Sequence, residues 1–321
     1  MKRIFILSVL FILFLSGKAQ IFSLLEQNPA AAFIPRDGAA TVKYDNKLYL
    51  IGGWNPILIP YPHFLNDFWV SADDGKTWTQ LPDAPFTPRH THGAGVLNNK
   101  LYVWGGDGLK DVWYYDAVTR PGSPTWTQVT ADWGPELGNR IFFVSCIHNG
   151  FIYVGLGEEP IHSNLYRSRD GKNWFKVGND FTEDLVSRSR SSMISFKGDL
   201  YIVGGGQFSA TGHTLYGSVW KSEDDGISWR KVLDNNDRLK TLWGNLASMD
   251  GYMFFVRGAD EIGANTKGIL YTSDGINWNE FKYAILPRHA TSVWGTANKI
   301  YIVAGNLFND CYTITKIADD Y

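Results

Sequence analysis

An arginine stands 17 residues ahead of a glycine five times in this chain, as Arg36/Gly53, Arg89/Gly106, Arg140/Gly157, Arg188/Gly205 and Arg288/Gly305. A guanidinium presents a fixed fork of donors that suits a carboxylate, sulfate or phosphate. Several gathered at one place would recognise an anionic ligand. Trp54, Trp104, Trp243 and Trp294 could stack on sugar faces, so an acidic saccharide is the preferred ligand and an acidic peptide the alternative. Acid–base candidates follow the glycines or open the repeats: Glu158, His162, His213 and Glu261 first, then Glu159, Asp260, His90, His92 and His289. A histidine in such a place titrates near neutral pH and can take or give a proton. Residues His90-Thr91-His92 put two imidazoles on one strand face, but with no third ligand in sequence no metal is expected. No phosphate loop, nucleophile elbow or zinc pattern implies a cofactor. The catalytic residue, if there is one, stays open.

The spacing that sets these residues out also defines the elements beneath them. Four residues before each glycine is an aromatic (Tyr49, Tyr102, Tyr153, Tyr201, Phe254, Tyr301), and a sixth copy keeps Gly258 but has Thr241 in the arginine's position. Such regularity is one supersecondary unit copied around an axis. The first copy reads as strands at Ala39 to Tyr44, Lys47 to Ile51, Asp67 to Ser71 and Trp78 to Leu81, with turn residues between. No stretch holds a period of 3.6, so helices are incidental. The fold expected is all-β: a six-bladed β-propeller of four-stranded blades. Trp78, Trp126, Trp174, Trp229 and Trp278 open the outer strands and belong to the core. The last copy stops after three strands, and Phe22 to Arg36 has the spacing of an outer strand. The N-terminal strand therefore closes the ring and removes an open edge.

The arginine, the "LYLIGG" and "LYVWGG" strand ends and the outer tryptophan resemble the kelch repeat over nearly the whole of residues 20–321. Ser71-Ala72-Asp73-Asp74-Gly75-Lys76-Thr77-Trp78 resembles the Asp box of sialidase-type propellers, repeated with variation at Ser222 to Trp229 and shortened at Ser168 to Trp174 and Thr272 to Trp278. In those families the box is a structural hairpin turn. The kelch resemblance implies that the arginines and the loops after the second strands share one mouth, so Arg36, Arg89, His90, Arg140, Arg188, Arg288, Trp54 and Trp243 are the expected ligand-binding residues, with Arg190 nearby. It also implies an alternative role for each arginine, hydrogen-bonding to backbone in the neighbouring blade.

Residues 1–19 are expected to be a signal peptide: Lys2-Arg3, an apolar run from Ile4 to Leu15, then small residues to Ala19. Its removal takes away Lys2, Arg3 and Lys18 and moves the formal charge from −2 to −5. An acidic chain argues against nucleic acid, and no membrane contact is expected after cleavage. Cys146 and Cys311 fall in different repeats and are read as free thiols. The function expected is a secreted or periplasmic monomer that binds an anionic ligand. Two alternatives stand beside it: an enzyme on acidic sugars (similar to periplasmic sialic acid mutarotase propellers, or a uronic-acid lyase, or a sialidase-like hydrolase) and a protein–protein interaction module.

Overall fold

A computed structural model describes residues 21–58, 63–186, 188–209 and 212–317. The expected signal peptide at 1–19 lies outside the described residues. Six four-stranded antiparallel sheets form, one per repeat. The first runs Ala40–Tyr44, Lys47–Trp54, Phe64–Ser71 and Thr79–Leu81. The second and third strands are longer than the apolar runs suggest. Their hairpin continues through a bulge at Ile51/Gly53 and pairs Trp54 with Phe64. That extension carries both aromatics to the end of the blade where the mouth lies. A short extra hairpin, Gly206–Gln207 with Thr214–Leu215, does the same for the fourth blade.

The second glycine of each pair has a steric reason. Gly53 has φ 114°, and a Cβ there would sit 2.9 Å from the Asp37 carbonyl oxygen; a Cβ on Gly106, at φ 95°, would sit 2.8 Å from that of His90. Only a residue without a side chain lets the first strand of the blade come this close.

Ring closure follows the expected route. Phe22–Asn28 pairs antiparallel with Phe308–Lys316 and becomes the outer strand of the sixth blade. Phe22 then packs edge-on to Phe254 at 5.0 Å and to Tyr252 at 5.2 Å in the fifth blade. Between other blades the cement is the same kind: Val42, Tyr49, Ile51 and Phe68 of the first blade pack with Leu101 and Val103 of the second.

The turns between third and fourth strands lie on the face opposite the mouth and are closed by their own side chains. Gly75 N donates to Ser71 Oγ (2.8 Å), Thr77 N to Asp73 Oδ1 (2.9 Å), and the Trp78 indole to the Gly75 carbonyl (3.1 Å). Ser222, Asp224, Gly226, Ser228 and Trp229 repeat the pattern. The next acid in each turn reaches back one blade. Asp74 accepts from Lys43 (2.8 Å), and from Lys299 (2.6 Å) and Tyr301 (2.5 Å) of the sixth blade; Asp225 meets His148 (2.9 Å) and Asn149 (2.7 Å) of the third. Both free cysteines are present as expected, Cys311 buried and Cys146 only partly so.

Two outcomes are expected. A chain beginning at Ala30 loses the outer strand of the sixth blade and the Phe22 contact, and should unfold at a clearly lower temperature in calorimetry than a chain beginning at Gln20. Asp74 supplies a second test. Burial alone would raise its carboxyl, but the hydrogen bonds from Lys299, Lys43 and Tyr301 outweigh burial and hold it well below the usual range. A depressed folded pKa means that its contribution is full above the unfolded value, about pH 4, and is lost as pH falls below it. Thermal scans from pH 7 to 3 should therefore show a shallower acid-side loss in Asp74→Asn, which starts less stable.

Candidate functional site

The five repeat arginines do not line the mouth. Arg36, Arg89, Arg140, Arg188 and Arg288 are at most 1% exposed. Each Nη1 donates to the carbonyl 16 residues on, within its own blade: Gly52 (2.9 Å), Gly105 (2.9 Å), Leu156 (3.1 Å), Gly204 (3.2 Å) and Ala304 (3.0 Å). A second anchor comes from the approach to the third strand. Arg36 is bidentate on Asp67 (2.5 and 2.7 Å), Arg89 on Asp111 (2.7 and 2.8 Å) and Arg288 on Asp310 (2.6 and 2.7 Å). Arg188 uses Ser218 (2.6 Å) and Asp184 (2.9 Å), and Arg140 uses Asn164 (3.1 Å) and the Leu137 carbonyl (2.6 Å). With these donors engaged and no exposed surface, they are blade staples; the expectation that they bind ligand is corrected on that ground. Burial lowers Arg140 and Arg188 to about 10, which leaves both charged at neutral pH. The fifth blade shows the rule by breaking it: Thr241 replaces the arginine, and Gly268 stands where the carboxylate would. A guanidinium buried there with nothing to accept from it would be costly; the third blade keeps Arg140 because Asn164 and the Leu137 carbonyl take that part.

Two residues beyond each staple position the chain turns onto the axis. Gly38, Thr91, Phe142, Arg190, Trp243 and Ala290 all have left-handed φ, between 47° and 57°. A non-glycine residue there costs roughly 1–3 kcal/mol. Amide-to-carbonyl bonds around the axis offset that cost. Thr91 donates to Gly38 (2.7 Å), Arg190 to Phe142 (3.2 Å), Trp243 to Arg190 (3.0 Å), Ala290 to Trp243 (3.0 Å) and Gly38 to Ala290 (3.0 Å). The ring frames the entrance to an axial channel of about 400 Å³, lined by the first strands of all six blades.

Arg190 is the guanidinium of this entrance. It is 6% exposed and lies over three rings: Phe142 at 4.1 Å, Phe208 at 4.3 Å and Trp243 at 5.1 Å. Its Nη1 donates to Glu158 Oε2 (2.5 Å) and to Ser189 Oγ (2.9 Å), while Nε has no hydrogen-bond partner. Burial lowers its pKa, and Glu158 opposes that. Two histidines complete the rim. His90 Nδ1 forms an ion pair with Asp107, whose other oxygen accepts from the His90 backbone N (2.6 Å). Phe64 stacks on the His90 ring at 5.1 Å, and Trp54 lies at 6.3 Å. His289 Nδ1 donates to Asn265 (2.6 Å), and its Nε2 is 3.5 Å from Asp37.

Of the expected site residues, the fold brings Trp54, His90, Glu158 and Trp243 to the mouth. His213 is on the rim, stacked on Phe208 at 4.0 Å. Glu261 is exposed on a loop beyond it. His162 is on a loop of the same face with both ring nitrogens engaged: Nε2 donates to the Asn139 carbonyl (2.7 Å) and Nδ1 faces Arg140 (3.3 Å); burial and then Arg140 lower its pKa. Trp104 is core, 1% exposed, and not a sugar platform. His92 is buried and held well below the usual imidazole range, first by burial. Phe142, Phe208, Asp107 and Asp37 are the rim residues that sequence reasoning missed, and Arg190 was placed beside the site rather than at its centre. The signal that finds the centre is an offset: two past the staple, not the staple itself.

A kelch motif profile matches residues 35–85, the first blade with its entering arginine. The ring of six four-stranded blades is thus a β-propeller whose first blade carries a kelch motif. The chain is 26% identical over 213 residues to N-(sulfonatooxy)prop-2-enimidothioate sulfolyase of Thlaspi arvense, across 60% of this chain and 59% of that protein. It is 26% identical over 200 residues to kelch-like protein 40 of Xenopus laevis, across 59% of this chain and 30% of that protein. A shorter match, 34% over 80 residues, is to tRNA wybutosine-synthesizing protein 2/3/4 of Oryza sativa subsp. japonica, across 23% of this chain and 7% of that protein. The chain thus spans less than two thirds of each of these relatives.

The staple assignment predicts a thermodynamic cycle. Asp111→Gly strands Arg89 and should cost about 3–5 kcal/mol in denaturant unfolding. Adding Arg89→Thr, which copies the fifth blade, should recover part of that loss rather than deepen it. Additive costs would show that the pair is not a coupled staple.

Proposed function

We propose that this propeller binds a small anionic organic molecule, preferentially an acidic saccharide, at the axial mouth. One observation carries the reading: Arg190 sits in an aromatic cage at the entrance, with a single carboxylate partner. A ligand carboxylate or sulfate competes with Glu158 for the guanidinium, while Trp243 and Trp54 offer faces to a sugar ring. The sulfolyase supports the anionic part, since its printed name describes action on a sulfonatooxy compound. Export through residues 1–19 belongs to the same proposal. An enzymatic form of it is favoured by the His90–Asp107 pair, which sets an imidazole and a carboxylate side by side at the rim. Acidic-sugar epimerase, lyase and hydrolase chemistry remain the classes for that form.

Titration calorimetry against sialic, glucuronic and galacturonic acids, a sulfated monosaccharide and neutral galactose tests the reading. One acidic sugar should bind and galactose should not. Arg190→Met should weaken that binding by about 10- to 100-fold, the worth of a charged hydrogen bond, and Arg120→Met, at an exposed cation on the opposite face, should leave it unchanged. Equal binding of galactose, or binding indifferent to Arg190→Met, would remove the anionic reading. Proton NMR of the bound sugar then separates turnover, sensitive to His90→Gln, from binding alone.

A further inference from the structure

Away from the mouth, three side chains meet that take no part in the Arg190 site. His148 ends the first strand of the third blade, Val144–His148, and its side chain is sealed from water. Its Nδ1 lies 2.8 Å from Ser195 Oγ, on the first strand of the fourth blade, Ser192–Phe196. Its Nε2 lies 2.9 Å from Asp225 Oδ1, on the turn of the fourth blade. Serine, imidazole and carboxylate are linked in series, the order that activates a hydroxyl for attack. The hydrogen bond from Asn149 and, after it, that from His148 hold the Asp225 carboxyl below its usual range. An ionised carboxylate only accepts, so Nε2 carries the hydrogen of the neutral ring. Asn149 Nδ2, 3.1 Å from Nε2, gives its own to the closer carboxylate (2.7 Å). Nδ1 is left to accept from Ser195.

The ring itself supplies two contrasts. Asp74, the equivalent acid of the first blade, meets Lys43, Lys299 and Tyr301, none of which is a base at neutral pH. Ser248 is seven residues after Thr241, as Ser195 is after Arg188, but Phe196 stands where His148 would serve it. Ser195 also has access. It is only half-buried and lines the axial channel together with Ile147, Ser248 and Gly295, ~10 Å along the strand from Ser192. Each first strand ends its sheet, so its inner edge is unpaired and alternate N–H groups face the channel. Leu246 N already donates from that edge to Ser192 Oγ (3.0 Å). Donors of this kind can meet a developing oxyanion.

We propose that the deep end of the channel is a hydrolytic site for esters of short acyl groups, with Ser195 as nucleophile, His148 as base and Asp225 as the residue that positions His148. Ser195 Oγ bonds to the acyl carbon while its proton passes to His148 Nδ1. The ester C–O bond breaks, and the departing alkoxide takes that proton. A water then gives a proton to His148 and bonds to the acyl carbon. Ser195 leaves with the proton as the carboxylic acid is released. A channel of about 400 Å³ is at the small end for ligand sites, which limits the acyl chain. None of the Arg190 contacts is used, so the two readings fail separately.

The test treats the protein with a small alkyl fluorophosphonate and maps adducts by peptide mass. Release of p-nitrophenol from p-nitrophenyl acetate and octanoate is followed in parallel. The phosphonyl group should appear on Ser195 and not on Ser248 or Cys146, and the acetate should turn over faster than the octanoate. Ser195→Ala should abolish adduct and turnover. His148→Gln should slow both by about 100-fold or more, and Asp225→Asn by about tenfold or more, with part of the rate returning in Asp225→Glu. The Asp225 side chain is 45% exposed, so its variants keep the test open where loss of buried His148 loosens the blades. Rates are compared at a temperature where calorimetry shows each variant folded. An unmodified Ser195 in the wild-type protein, labelling indifferent to Asp225→Asn, or release unchanged in Ser195→Ala would each overturn the assignment and leave His148 a clasp between blades.

Discussion

Each of five blades is held by a guanidinium sealed from water, and the position of everything at the mouth follows from that burial. The arginine joins three separate pieces of its blade: the entry to the first strand, the end of the second and the approach to the third. Such a group is stable only if its donors are filled, by a carboxylate in four blades and by neutral oxygens for Arg140, so geometry is strict. The main chain leaving the staple has one direction to go, onto the axis. Two residues later it turns left-handed, in every blade alike.

That turn sorts the chemistry. The staple residue is locked inside the blade, and the residue two further on is presented to the channel. Because the turn is a backbone property, its side chain is free to vary, and the six copies carry Gly, Thr, Phe, Arg, Trp and Ala. A scaffold position held by arginine in five of the six blades thus stands two residues from a variable one that faces the channel. Arg190 shows what this achieves: a cation packed against three rings and one carboxylate at the channel entrance. The fifth blade, without a staple, places Trp243 on the same ring through backbone bonds alone.

The mouth face carries two kinds of surface at different heights. Paired charges and aromatic rings line the entrance, where a small molecule would be enclosed. Exposed isoleucines stand on the loops around it, Ile57, Ile161 and Ile262 among them. Kelch-like protein 40, whose name gives no activity, and the sulfolyase, whose name is an enzyme's, both match about the same share of this chain. One propeller frame is compatible with either use, because function resides in the loops and not in the blades.

The number of blades, their strand order and the closing role of the N-terminal strand were all legible in the sequence. They rest on local periodicity and on repeat length, which a linear reading sees directly. Turn chemistry at Ser71 to Trp78 was equally plain, since all its partners lie within a few residues. The role of the arginines was not. Whether a guanidinium faces a ligand or a carboxylate depends on Asp67, Asp111 and Asp310, 22 to 31 residues away, and on which side of the sheet the chain runs. Likewise Phe142, Arg190 and Phe208 share no motif, and only the closing of the ring sets them around one point. Sequence determined the frame because strand pairing is specified by repeated local pattern; tertiary structure decided the site because convergence on an axis is a property of the assembled ring.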